Sequence, residues 1–189
     1  GARGPGVAVL WRGAELRDLD EALDPGAIAE PNSRALAALI EEAGGPPRLC
    51  PFARDDRVEL RAAIREASSA DLVVTSGGVS VGEADFTKQM MAKLGEVVFW
   101  KIAMRPGRPM AFGRIRTRGK AAYLFGLPGN PVAVMVTFYH FVRGALLHMM
   151  GRSDTALPLL RAKSETAMRK KPGRTEYQRG IVFSEGGVC

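Results

Sequence analysis

Cysteine and histidine are almost missing from this chain, with two of each in 189 residues. Cys50 and Cys189 are too few for a disulfide framework or a thiolate metal cluster, and a reducing, cytoplasmic setting is the simpler expectation. His140 and His148 stand eight apart without acidic or thiol neighbours, which speaks against a histidine metal site. Aromatic residues make up only 7% and are not interleaved with the basic ones, so no nucleic-acid partner is expected, despite a net charge of +7. No apolar run reaches the ~20 residues that cross a bilayer, and GARGPG lacks the basic-then-apolar order of a signal peptide, so no membrane association is expected either.

What is present is a hydrophobic fraction of 46%, enough for one full core and part of a second. The excess of 27 Lys and Arg over 20 Asp and Glu favours anionic ligands. Strand-like VAVL begins within six residues of Gly1, and further residues upstream are expected.

Elements alternate along the chain. Val7–Leu10, Leu49–Phe52, Asp71–Thr75 and Val97–Ile102 read as strands, as do Met110–Gly113 and Ala121–Phe125. Helices are expected over 32–43, with Asn32 as N-cap and Gly44 just past the end, over 55–67, with Leu60, Ala63, Ile64 and Ala67 on one face, and over 84–94, closed by Gly95. The longest is expected over 131–150, closed by Gly151. This order predicts an α/β domain, residues 1–151, with a mostly parallel sheet between helices on both faces. Residues 152–189 then read as a linker followed by a partial β-rich unit with a turn at Pro172–Arg174. The Met pairs at 90–91 and 149–150 read as core filler.

Four stretches carry candidate chemistry. TSGGVSVGEADF (75–86) follows a buried strand: Gly77 and Gly78 allow close backbone approach, Ser76 and Ser80 offer hydroxyls, and Gly82, Glu83 and Asp85 lead into a helix. An oxyanion site beyond a strand's carboxyl end and a plain turn with acids at a helix start both fit. GLPGNP (126–131) sets Pro128 and Pro131 around Gly129 and Asn130, either as a rigid amide nest or as a capped helix entry. KIAMRPGRP (101–109) gathers Lys101, Arg105 and Arg108 around a Pro-Gly turn, fit for a phosphate or merely solvated. Asp55 of RDD is either a hard-oxygen metal ligand or a helix cap.

The order SGGVSVGEAD, FWKIAMRPGRPMAFG, GLPGNPVAVMVTFYHFV, PGRTEYQRGI resembles the molybdopterin molybdenumtransferase family, which includes the E domain of gephyrin, over about residues 7–183. The resemblance implies an α/β molybdopterin-binding domain, the opening strands of a barrel-like C-terminal domain, two further domains upstream, and a homodimer. It implies insertion of molybdate, as co-substrate, into adenylylated molybdopterin with Mg2+-assisted release of AMP. Carried over by position, Glu15, Asp55 and Asp85 become metal or phosphate-region acids, with Asp55, Asp85 and Lys101 as catalytic candidates and Glu15 and Asp85 as metal candidates. Ser76, Gly77, Gly78, Ser80 and Gly82 lie on the ligand, Pro128, Gly129, Asn130 and Pro131 shape its pocket, and Lys101 and Arg105 neutralise charge. Two departures stand out. WRGAEL (11–16) replaces the usual Ser-Thr-Gly-Asp-Glu-Leu, so that Trp11 would block or reshape an anion site, and Ala133 replaces a usual Ser. Two other readings share the resemblance: a molybdopterin adenylyltransferase, against which RTEYQRG speaks, and a non-catalytic binding or scaffold protein.

Overall fold

The computed structural model describes residues 4–12, 31–52, 57–77, 93, 95–117, 120–184 and 187–188. Six strands form one sheet in the order β2-β1-β3-β7-β6-β4. They are β1 (Val7–Arg12), β2 (Pro47–Phe52), β3 (Leu72–Ser76), β4 (Gly95–Lys101), β6 (Pro109–Thr117) and β7 (Lys120–Leu127). The pairs β1–β2, β1–β3 and β3–β7 are parallel, whereas β7–β6 and β6–β4 are antiparallel. The parallel expectation therefore holds for four strands, and a meander completes the sheet. Leu72, Val73, Val74 and Thr75 are all buried, as a strand covered on both faces requires.

Side chains alternate between two cores, following the period of two along a strand. Val7, Val9, Leu72, Val74, Phe125 and Leu127 face helix α1 (Pro31–Glu42) and the long C-terminal helix. Ala8, Leu10, Val73 and Leu124 face helix α2 (Arg57–Ala67), whose Leu60, Ala63, Ile64 and Ala67 form the expected apolar face. Gly44, at φ +90°, ends α1 as anticipated, but the helix starts at Pro31. Asn32 is thus one residue inside the first turn rather than its cap, because proline fits a first helical position. Gly95 is the first residue of β4, residue 93 is helical, and the rest of the expected helix over 84–94 lies outside the described residues.

The long helix comprises α3 (Pro131–Thr137), a π-helical turn (Phe138–Val142) and α4 (Arg143–Met149). Its 19 residues have mean hydropathy 1.3 and match a membrane span by length and composition, more closely than the sequence reading allowed. Val134, Phe138, Val142 and Leu146 are fully buried against the sheet, which is the signature of a core helix. Met149 and Met150 pack partly against the same core. Beyond Gly151 the expected β-rich unit shows, among the described residues, three two-residue strands: β8 (Thr175–Glu176), β9 (Phe183–Ser184) and β10 (Gly187–Val188). Gly173, at φ +108°, makes the anticipated turn.

Candidate functional site

Ser76 and Leu127 are the last register pair of the parallel strands β3 and β7, so the two chains leave the sheet side by side. The first corner turns at Gly77, whose φ of +79° suits glycine and whose N–H donates to the Leu127 carbonyl at 3.0 Å. The second runs through buried Pro128 to Gly129, and a Cβ on Gly129 would lie 3.7 Å from the Gly77 Cα. The two glycine-bearing corners therefore touch.

Asn32 ties them together. Its Nδ2 donates to the Ser76 Oγ at 2.9 Å and to the Gly129 carbonyl at 2.8 Å, while the residue is only 6% exposed. Its Oδ1 is buried without a partner among the described residues. A cap reading hid this role, although Pro31 in front of it was the signal that the helix begins one residue earlier.

Asn130 is the true cap of the long helix. Its Oδ1 accepts from the backbone of Val132 at 3.0 Å and Ala133 at 3.2 Å, and its carbonyl accepts from Val134 at 2.9 Å. The Gly77, Val132 and Ala133 N–H groups already have internal acceptors and are closed to an anion, whereas the Gly129 and Asn130 N–H groups of the loop itself have none among the described residues, so the loop is a capped helix entry that still carries two open amides.

Those cations sit at the same end of the sheet. Ala111 pairs with Gly126, and Lys101 pairs with Pro109, so the 101–109 connection lies beyond the carboxyl ends of the parallel strands. Lys101 is three strands from β3, about 14 Å at ordinary strand spacing. Within the connection, β5 (Met104–Arg105) is followed by Pro106 and by Gly107 at φ +100°. Lys101, Arg105 and Arg108 are exposed, and among the described residues no carboxylate pairs with them. Ser76, Gly77, Lys101, Arg105, Pro128, Gly129, Asn130 and Pro131 thus gather at one edge. Glu15, Asp55, Gly78, Ser80, Gly82 and Asp85 lie outside the described residues.

Trp11 is buried, 3% exposed, at the carboxyl end of β1, one residue past the Leu10–Thr75 pair. By register Trp11 stands in the row next to Ser76, and among the described residues its Nε1–H has no acceptor. An orphaned buried donor costs about 1–3 kcal/mol. Trp11→Phe is therefore expected to raise the unfolding free energy by about 1 kcal/mol in urea titration; a loss instead would show that the indole N–H is engaged in the folded protein.

Burial pushes the Cys50 thiol up, as for an inert core cysteine. Both histidines are exposed, and among the described residues no three His, Cys, Asp or Glu side chains form a metal-holding group.

Residues 8–148 match the family described as a probable molybdopterin binding domain. A molybdopterin molybdenumtransferase of Nostoc is 42% identical over 98% of this chain, and one of Haemophilus influenzae 40% identical over 94%. The chain spans 43% of the length of each. Among solved structures, the molybdopterin biosynthesis moeA protein of Pyrococcus horikoshii superposes with a TM-score of 0.69 at 25% identity, covering 98% of this chain and 42% of that one. The two relatives and the solved structure match through the segment after the long helix as well as through the sheet, and the chain belongs to the family of probable molybdopterin binding domains, with similarity along nearly its whole length to molybdopterin molybdenumtransferases.

Proposed function

We propose that this chain holds the substrate in a molybdopterin molybdenumtransferase, where molybdate enters the dithiolene of adenylylated molybdopterin and AMP is released. The observation that carries this reading is the contact between the Gly77 and Gly129 corners, clasped by Asn32, with Lys101 and Arg105 along the same edge. Molybdopterin brings one phosphate, AMP another, and molybdate a tetrahedral dianion. Preset cations and hydroxyls that meet such charge lower the barrier without a protein nucleophile. Ser76 and Gly77 would lie on the ligand, Pro128 and Pro131 shape its pocket, and Lys101 and Arg105 counter its charge.

Mg2+ would supply further charge neutralisation. Glu15, Asp55 and Asp85, which lie outside the described residues, are the carboxylates proposed to hold it. The same reading extends to the division into residues 1–151 and 152–189, to a homodimer and to a cytoplasmic setting, the last supported by the scarcity of cysteine.

The test is AMP release from adenylylated molybdopterin by the full-length protein. Molybdate-dependent release is expected, and Arg105→Ala should lower it on the order of tenfold. If molybdopterin binds in equilibrium dialysis but no AMP appears, the protein is a binding or scaffold module instead.

A further inference from the structure

Residues 175–177 run as a strap along the cationic turn. β8 pairs in parallel with β5, placing Thr175 beside Met104 and Glu176 beside Arg105. The Thr175 N–H donates to the Ala103 carbonyl and the Tyr177 N–H to the Arg105 carbonyl, each at 2.8 Å. Two residues of pairing do not hold themselves in water. The neighbouring chain from 157 to 174 is almost wholly exposed, so the support must come from elsewhere. It comes from the Tyr177 ring, whose centroid lies 4.2 Å from that of His140 on the long helix.

The same stretch of helix also seats the turn. A Cβ on Gly107 would come within 2.6 Å of the Thr137 Cγ2, so the glycine rests directly on the helix one turn before His140. The cationic turn is thus held from below by Thr137 and along its side by the strap. Glu176, which stands beside Arg105 in register, has the Arg174 Nε at 3.7 Å, and among the described residues the Arg105 guanidinium has no ion-pair partner.

We propose that Tyr177 and His140 are positioning residues: by fastening residues 175–177 against 103–105 they fix Arg105 at the ligand edge, so the segment beyond the long helix takes part in presenting charge. This rests on the reading of that edge as an oxyanion site. The experiment compares Tyr177→Ala, His140→Ala and the ring-preserving Tyr177→Phe in the full-length protein. Amide hydrogen exchange is read over 103–108 and 175–177, and molybdate binding is read by calorimetry.

Exchange at Thr175, Tyr177 and the turn should rise roughly three- to tenfold in the two alanine variants, as loss of one ring pair implies, and stay at the parent rate in Tyr177→Phe. Core amides of β1 and β3 should not change, which separates this from general unfolding. Molybdate affinity should fall by a similar factor in the alanine variants. Unchanged exchange at 103–108 would overturn the proposal. So would raised exchange with undiminished molybdate binding, provided Arg105→Ala does weaken it. If Arg105→Ala leaves binding intact, the assignment of Arg105 to the ligand is what fails, and the exchange data alone decide whether the strap fixes the turn.

Discussion

Asn32→Ala is expected to lower stability by about 2 kcal/mol, because the Ser76 hydroxyl and the Gly129 carbonyl both lose a part-buried donor. Its larger effect should be on binding. The two corners leave adjacent strands and touch at Gly77 and Gly129, but touching does not fix their relative rotation. With Asn32 removed, a ligand must order them itself, and affinity for molybdopterin should fall on the order of tenfold or more. Asn32→Asp is the sharper probe. It keeps the size but sets an oxygen against the Gly129 carbonyl, and should cost at least as much as alanine. Urea unfolding and equilibrium dialysis check both variants; if Asn32→Asp binds and unfolds like the parent, the clasp is not what joins the corners.

Gly113→Ala is expected to be strongly damaging to the sheet. Gly113 is buried opposite Val97 in the antiparallel β4–β6 pair. A Cβ there would collide with the Glu96 carbonyl oxygen and stand 2.6 Å from the Val97 Cα. Both obstacles are backbone, so relief requires parting the strands, at a cost of about 3 kcal/mol. Since β4 and β6 carry the two ends of the Lys101–Pro109 turn, the cationic edge should be displaced as well. Gly144 provides the control. It lies in α4, where an added Cβ would meet no atom within 4 Å. Gly144→Ala should therefore be neutral or stabilising by up to about 1 kcal/mol. Thermal unfolding of the two variants should move in opposite directions. A neutral Gly113→Ala would refute the close approach of these strands.

The apolar periodicities announced most of the scaffold. Leu60, Ala63, Ile64 and Ala67 were legible as one face because helical spacing needs no tertiary information, and they are buried as a set. LVV after Asp71 read as a buried strand for the same reason. The strand directions were less legible, since antiparallel pairing of β4, β6 and β7 depends on register, which local composition does not encode. At the site, Gly77, Gly129 and the prolines announced corners, but whether an amide is free depends on which carbonyl or side chain reaches it. Asn130 Oδ1 and the Leu127 carbonyl take three of those amides, and no spacing rule counts such bonds. Asn32 was the converse case. Its partners, Ser76 and Gly129, are 44 and 97 positions away, so only the folded chain shows that a residue read as a local cap works across two loops.

The π-helical turn at Phe138–Val142 has a mechanical consequence. Val134, Phe138, Val142 and Leu146 recur every fourth residue, and at about 100° per residue an unbroken α-helix would carry the last of them about 120° around from the first. Loosening one turn takes up part of that drift, so all four side chains can stay buried against the sheet. The same helix thereby meets both halves of the edge, the Gly129 corner at its head through the Asn130 cap and the arginine-bearing turn at its middle through Thr137.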